Sequence, residues 1–587
     1  MTPRLLVLLA LAGSSLATTV GAQNPAATSP QEMALGAPES PLRQHFLPPT
    51  RIVWRSAAGV TDADHLLGPK PGQAVLKESV PPCTLTAASK DQPAGVVLDF
   101  GVEIQGNIEL FTPMTKDHTP APVRVRFGES VSEVMVNVGD RSAQNDHAVR
   151  DQITTLPWLG KKTVGPGGFR FVRIDSVDPA LPVSLSQVRA VLQVRDLPQL
   201  GSFRCDDERL NRVWATGAYT VHLCMQDYLW DGIKRDRLVW IGDMHPEVST
   251  INAVFGYQDV IPQSLDLIRD TVPPTEWMNG ISSYSMWWIL IQEELWMQHG
   301  RRDYLAAQGP YLAKLLRHLV SMIDTTGVEK LDGMRFMDWP TSGNQPAIHA
   351  GLQAMMVLTM EAGQRLSATL ADAETARLCA DAVTKLRANV PVADTSKQSA
   401  ALVALAGMKD AKEIANTVLK KDGPHGLSTY YGFYVLKALA KSGDIDTALG
   451  FISQYWGGMI DFGATTFWED FDLNWTKDAG RIDELLPPGK KDLHGDFGAY
   501  CYPGFRHSFC HGWASGPTAW LSQTVLGVQP LEPGFKKVRV VPQLGHLKWA
   551  EGTYPTPLGV IKVRADRQPD GTVKTDVQAP AGMEVVK

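Results

Sequence analysis

Cysteine is scarce in this chain: there are six in 587 residues, at positions 83, 205, 224, 379, 501 and 510. So few in so long a chain exclude a disulfide framework as the basis of the fold. Cys501 and Cys510 are close enough in sequence to bridge, and buried free thiols are an equally good reading of both. Basic charge is not in excess either. The formal net charge is −6, so neither a nucleic-acid partner nor an anionic membrane is expected. Beyond the N-terminus no apolar run approaches the ~20 residues that would span a bilayer. His-Glu-x-x-His, Cys-x-x-Cys and a second ligand pair at zinc spacing are all missing, so no metal and no cofactor is assigned. A Gly-x-Ser-x-Gly elbow and a Walker-type phosphate loop are also missing, which lowers the serine-hydrolase and nucleotide readings.

What the chain does have is core material, 44% apolar against 20% charged residues, and 16 tryptophans. Several of these stand beside polar groups, as in Asp338-Trp339, Trp468-Glu469 and His511-Gly-Trp513. Flat amphipathic rings beside hydrogen-bonding groups suit the apolar face of a sugar. The N-terminus reads as an address: Arg4, an apolar run from Leu5 to Leu11, and a small-x-small Val20-Gly-Ala22 before Gln23. Export with removal of residues 1–22 is expected, giving a periplasmic or secreted protein.

Composition then shifts three times. Residues 23–50, rich in Pro, Ala, Ser and Gln, read as a linker. Residues 51–200 alternate at period two, for example in Val123-Arg-Val-Arg-Phe127 and Phe169-Arg-Phe-Val-Arg-Ile174, and read as a β-sandwich. From 201 to 525 helical patterns dominate, beginning with Asp206 or Asp207 as a cap. The clearest stripe is Leu312, Leu315, Leu316, Leu319, Met322 and Ile323. Further helices are expected near 346–366, 371–389, 397–419, 427–441 and 443–455, a series that favours a helical barrel or toroid. Residues 526–587 return to strands, too small a piece to core itself, and are expected to lean on the helices.

The densest chemistry lies in Asp231-Gly-Ile-Lys-Arg-Asp-Arg-Leu-Val-Trp-Ile-Gly-Asp243. As one helix, at about 100° per residue, it would put Asp236 and Asp243 on one face and Asp231 roughly 140° away. Convergence of the three therefore needs a loop. Gly232 and Gly242 supply breaks, and Pro246 suits the first turn of a following helix. A second candidate is Gly463-Ala-Thr-Thr-Phe-Trp-Glu-Asp-Phe471, in which adjacent Glu469 and Asp470 point apart, so that only one serves a given site. The third is His507-Ser-Phe-Cys-His-Gly-Trp-Ala-Ser-Gly-Pro517.

These segments resemble those of the bacterial α-L-rhamnosidases of glycoside hydrolase family 78, whose acidic motif runs Asp-Cys-Pro-x-Arg-Glu-x-Leu-Gly-Trp-x-Gly-Asp. Order and spacing agree over roughly residues 50 to 587. The resemblance implies a multidomain chain: a central all-α (α/α)6 barrel flanked by an N-terminal β-sandwich and a small C-terminal β-sandwich domain. It implies inverting hydrolysis, with Asp236 as general acid and Glu469 as general base. Asp231 and Asp243 would hold sugar hydroxyls, Arg235, Trp240 and His511 would belong to the same pocket, and Trp339 and Trp468 are further candidates for it. The partner would be a rhamnose-containing oligosaccharide, polysaccharide or glycoside. One departure stands out. The family motif usually has Glu where this chain has Asp236, and Cys-Pro becomes Gly232-Ile233, which leaves room for a related sugar or a separate subgroup.

A general acid must be protonated in the productive complex. Asp231, Asp243 and apolar Trp240 favour that at Asp236, whereas nearby cations oppose it. Lys234 and Arg237 are therefore expected to face away from Asp236. Two other classes stay open. One is a carbohydrate-binding homologue without catalysis. The other is another toroid enzyme, either a phosphorylase or a lyase that recruits Tyr284 or His511 as base.

Overall fold

The structure is a computed structural model, and it describes residues 40–115, 117–498 and 502–587. The expected leader 1–22, most of the 23–50 stretch and Cys501 lie outside the described residues. The end of that stretch is not a linker. Leu42–Leu47 is a strand paired antiparallel with Gln187–Arg195. The segment Leu-Arg-Gln-His-Phe-Leu contains no proline, and averaging composition across 23–50 hid it.

Residues 42–195 build a seven-stranded antiparallel sheet and a three-stranded one. Two long strands, Ala94–Thr112 and Gly160–Ser176, run through the middle of the larger sheet. The two period-two runs of the sequence meet across it, with Val125 opposite Ile174 and Phe127 opposite Val172. Their apolar side chains, with Leu85, Leu98 and Leu110, form a core of their own. The opposite face is covered locally by Val131 and Val134 of the short helix Val131–Met135, packed on Val97 and Phe171.

From Glu208 onward the chain alternates two kinds of helix. Glu208–Cys224, Val260–Thr271, Arg302–Ser321 and Ala373–Arg387 bury one side, the pattern of an outer amphipathic helix. Met244–Val254, Ser282–His299, Gln345–Thr369, Lys397–Leu405 and Gly432–Ser442 are buried over most of their surface. The expected stripe in the third outer helix is buried at Leu312, Leu315, Leu316 and Leu319. Asp207 is the residue that caps the first helix, accepting from Arg209 N and Leu210 N. The helix expected over 397–419 is two pieces, because Gly407 adopts a φ of 64° between them.

Two further sheets close the chain. One orders Ser202–Cys205, Trp549–Thr556, Gly559–Arg567 and Val573–Gln578, so its edge strand precedes the first helix in sequence. The other contains Val528–Pro530, Lys537–Val540 and Glu584–Val586. Val538, Tyr554, Ile561 and Val563 of these sheets belong to the same core as the helices. The C-terminal strands thus share the helical core, whereas the N-terminal sheets have their own. No helix among the described residues is long and apolar enough to cross a membrane.

Candidate active site

The acidic motif is a loop running into the helix Met244–Val254. It is pinched shut by Asp231 N donating to Leu238 O at 3.1 Å and Leu238 N donating to Asp231 Oδ1 at 3.0 Å. The turn between them needs two consecutive left-handed residues, Asp236 at φ 53° and Arg237 at φ 56°. Aspartate visits that region more readily than most residues, and arginine holds it only because the surroundings dictate it. The loop thereby brings Asp231, Asp236 and Asp243 to one cavity, which no continuous helix could do. Gly242 is required by close approach: a Cβ there would lie 2.1 Å from the Tyr284 ring.

Two other segments are stitched to this loop through the backbone. Gly512 N donates to Asp231 O at 2.8 Å, His511 N to Phe467 O at 2.9 Å, and Glu469 N to Ser508 O at 3.0 Å. The backbone of Glu469 is fixed further, because its carbonyl accepts from Trp513 Nε1 at 2.9 Å and from Thr429 Oγ1 at 2.6 Å. Together they enclose a cavity of about 170 Å³ lined by Asp231, Asp236, Asp243, Glu469 and His511, with Trp240, Trp339, Tyr284, Phe336, Tyr502 and Trp513 as aromatic walls. A cavity of ~150 Å³ accommodates benzene, so the space matches one six-membered ring.

The floor is an electrostatic cluster. His511 Nε2 stands 3.6 Å from Asp231 Oδ2, 3.8 Å from Asp243 Oδ2 and 3.6 Å from Glu469 Oε1. Burial alone would depress the imidazole, but Glu469, Asp231 and Asp243 outweigh it and raise its pKa. Asp243 also accepts from Tyr284 OH at 2.7 Å; even so, burial and the neighbouring Asp231 push it up to about 7. Burial likewise raises Asp231. Glu469 goes the other way. Burial opposes its charge, but Arg235 and His511 hold it below the usual carboxylate range.

Arg235 is the hinge of the arrangement. Its NH1 donates to Asp236 Oδ1 at 2.8 Å and its NH2 to Glu469 Oε1, while Nε donates to Arg506 O at 3.2 Å. The guanidinium carbon lies 3.6 Å from the centroid of the Tyr502 ring. Arg235 therefore stands behind the two carboxylates and does not line the cavity, which corrects the expectation that it contacts a sugar. Lys234 and Arg237 face away from Asp236 as expected. Lys234 reaches Glu133 at 2.9 Å, and Arg237 Nε donates to Ile233 O at 3.2 Å beside the Trp230 ring. Asp236 sits at the open side with 15% of its side chain exposed, and His147 Nε2 of the N-terminal sheets is 3.6 Å from its Oδ1.

A second correction concerns Trp468. It is 1% exposed and stacks on Phe509 at 4.2 Å, away from the cavity. Successive side chains point apart, so turning Glu469 toward the pocket turns Trp468 into the core. Trp339 does line the cavity. Sequence reasoning missed Phe336, Tyr502 and His147, which belong to no motif. Trp513 sat inside a quoted motif, and its place beside His511 was the available signal. Cys510 is a buried free thiol.

Comparison with known proteins gives the family and the fold. Residues 198–525, more than half of the chain, match the family model for the bacterial alpha-L-rhamnosidase 6 hairpin glycosidase domain, and residues 527–586 match the bacterial alpha-L-rhamnosidase C-terminal domain. An alpha-L-rhamnosidase of Alteromonas sp. (strain LOR) is 24% identical over 567 residues, covering 87% of this chain and 58% of the relative. The chain spans about half the length of the curated relatives it matches. Among solved structures, the Streptomyces avermitilis alpha-L-rhamnosidase complexed with L-rhamnose superposes with TM-score 0.69 at 20% identity, over 93% of this chain and 50% of that one. A Klebsiella oxytoca rhamnosidase with rhamnose bound gives TM-score 0.66 at 20% identity, over 82% of this chain and 96% of that one. These likenesses establish a shared fold, and with the family model matched across the loop, the Glu469 segment and the His511 segment, the chain belongs to the bacterial alpha-L-rhamnosidase 6 hairpin glycosidase family.

Proposed function

We propose that the protein is an exported glycoside hydrolase that removes terminal α-L-rhamnose from oligosaccharides, polysaccharides or other glycosides, with inversion at the anomeric carbon. In this reading the alternating buried and one-sided helices close as an (α/α)6 barrel, flanked by an N-terminal and a small C-terminal β-sandwich. Glu469 is the general base: buried and held ionised beside Arg235, it has the charge needed to take a proton from water. Asp236 is the general acid, because the leaving group must lie at the open side, where Asp236 stands. Burial raises the pKa of Asp243, but it is sealed on the floor between Tyr284 and His511. It suits hydrogen bonding to a ring hydroxyl, as does Asp231. Oδ2 is the Asp236 oxygen left to face the leaving group, since Arg235 donates to Oδ1 at 2.8 Å and His147 Nε2 stands 3.6 Å from it. Trp240 and Trp339 offer apolar faces to the ring and methyl edge of a deoxysugar.

The observation that carries this reading is the shared guanidinium. One fork, through NH1 and NH2, fixes two carboxylates at one small cavity. Inversion, which asks for a pair ~6.5–9.5 Å apart against ~5–5.5 Å for retention, comes from the family resemblance and is what the product anomer tests. A lyase reading loses support, because the Tyr284 phenol donates to Asp243 and burial pushes its pKa well above the ordinary range, so it is a poor base.

The test is turnover of p-nitrophenyl α-L-rhamnoside with the product followed by proton NMR from the first minute. The expected first product is β-L-rhamnose. The α-anomer appearing first would replace inversion with retention. Silence across a panel of aryl glycosides, with free rhamnose still raising the melting temperature, would leave a binding protein.

A further inference from the structure

We infer that the N-terminal sheets are part of the catalytic machinery: Glu129 and Glu133, acting through Lys234, are positioning residues that set both loops bearing the reacting carboxylates. The inference rests on the glycosidase reading for the word catalytic, and on geometry for the rest.

Glu129 follows the strand Ala121–Gly128, and Glu133 lies in the helix Val131–Met135 capped by Ser130. Both are buried where the N-terminal sheets meet the helical part. Lys234, two residues before Asp236, inserts its ammonium between them, 2.9 Å from Glu133 Oε1 and 3.4 Å from Glu129 Oε2. The same ammonium donates to His507 O at 2.8 Å. Glu129 then grips the neighbouring backbone, accepting from Phe509 N at 2.7 Å and from Ser508 Oγ at 3.4 Å. Ser508 is the residue paired to the base: its N–H donates to Glu469 Oε2 at 3.3 Å and its carbonyl accepts from Glu469 N at 3.0 Å. One step further, His507 Nε2 accepts from Asp470 N at 2.9 Å.

Two carboxylates from another part of the chain thus hold the acid loop through Lys234 and the base segment through Ser508 and Phe509. None of Glu129, Glu133 and Lys234 lines the substrate-sized cavity, so any effect they have must act through their neighbours. Glu129, Glu133 and His494 form the one group among the described residues spaced to hold a metal ion. Lys234 Nζ already lies among them, 3.3 Å from His494 Nε2, so the chain supplies its own cation. Such a cluster is a poor way to gain stability, since buried ion pairs are often replaceable by apolar groups at no loss. It is a good way to fix a geometry, because breaking one partner leaves a buried charge with nowhere to go.

The experiment uses the full chain with three variants, Lys234→Met, Lys234→Arg and the double variant Lys234→Met/Glu133→Gln. Measured are kcat and KM on an aryl rhamnoside, melting temperature, and a crystal structure of the double variant. Lys234→Met should lose both stability and turnover. Neutralising its partner in the double variant should recover part of the melting temperature, Arg150 still lacking its ionised partner, but leave kcat at least ~10-fold down, with KM within ~3-fold, since misplacing reacting groups by about 1 Å costs up to ~10²-fold. Lys234→Arg should restore part of kcat. Recovery of wild-type kcat together with melting temperature in the double variant would make the cluster merely structural and overturn the inference. A wild type that hydrolyses no rhamnoside would instead remove the glycosidase reading. The crystal structure then decides: a displaced 507–509 segment, with Arg235 no longer bonded to Glu469, supports positioning, and an unchanged one overturns it.

Discussion

Two buried acidic clusters lie on either side of the Asp231–Asp243 loop, and they are alike in charge but opposite in access. At the cavity floor Asp231, Asp243 and Glu469 surround His511; at the junction with the N-terminal sheets Glu129 and Glu133 surround Lys234. In each, one acid is held ionised by a neighbouring cation, Arg235 in the first and Lys234 in the second, and another is pushed toward protonation. Glu469 and Asp243 play these parts in the first, Glu133 and Glu129 in the second. The floor distances from His511 are long, 3.6–3.8 Å, and face a cavity of about 170 Å³. The junction distances include 2.7 and 2.9 Å, and the space beside Glu133 and Lys234 is about 20 Å³, room for a single water. A buried charge is costly unless its bonds are completed. The junction completes them internally, whereas the floor leaves capacity that a polyhydroxylated ligand can fill.

Exchanging one acid in each cluster gives the sharpest contrast. Glu469→Gln should cut kcat by ~10²–10⁴-fold, the usual size of a lost general base, and lower the melting temperature less than Glu133→Gln does, because Arg235 keeps Asp236 and the Arg506 carbonyl as partners. Glu133→Gln should do most of its damage to stability, because Lys234 and Arg150 both lose their ionised partner. Removing one member of a buried pair typically costs ~3–5 kcal/mol. Parallel kinetics and thermal melts check both. A Glu469→Gln protein that melts far lower with its turnover intact would erase the distinction.

Asp236→Asn comes next. A lost general acid matters in proportion to how badly the leaving group needs a proton, so the defect should reach ~10²–10⁴-fold on an alkyl rhamnoside. On p-nitrophenyl rhamnoside it should be at least ~10-fold smaller, since that phenolate leaves unaided more easily. Equal losses on both substrates would take the acid role from Asp236. Smaller again is the contrast between two tryptophans. Trp339→Leu, in the cavity wall, should raise KM by roughly tenfold, about the worth of one aromatic contact. Trp468→Leu should leave KM alone and lower the melting temperature, because its ring fills core space against Phe509.

How legible all this was follows from where each signal lives in the chain. Period-two and period-3.6 runs placed the sheets and the helices, because buried faces repeat with the backbone, as in Val125 opposite Ile174. The acidic motif was legible because Asp231, Asp236 and Asp243 sit within thirteen residues, and reasoning on helix angles already required the loop that Asp236 and Arg237 supply. Direction was not legible. Nothing in Arg235-Asp236 says that the arginine lies behind its neighbour, and nothing in Trp468-Glu469 says which of the two faces inward until Ser508 fixes the backbone. Long-range partners left no trace at all. Glu129, Glu133 and His147 are polar residues in a β-rich stretch, where the default reading is solvated surface.

The finest comparison is through pH, and its sign can be worked out group by group. Asp243, raised from 3.8 to about 7 by burial first and by Asp231 next, keeps its proton in the fold at pH values where the unfolded chain has released it. Its contribution to stability is therefore present below pH ~4 and is lost as pH climbs toward ~7. Glu129, raised by burial and by the charge of Glu133, contributes a loss of the same sign. Glu133 is the reverse. Burial opposes its charge, but Lys234, Arg150 and His494 hold it below 4.5, so its contribution is present above that value and is lost as pH falls. In melting curves from pH 3 to 9, Asp243→Asn and Glu129→Gln should each flatten the alkaline limb by a few degrees, and Glu133→Gln the acid limb. Saturating L-rhamnose should then separate the two alkaline contributions. On the proposed function it binds at the open floor alone, so it should change the difference between wild type and Asp243→Asn and leave that between wild type and Glu129→Gln where it was. A sugar-dependent shift in both differences, or in neither, would mean that the clusters do not differ in access after all.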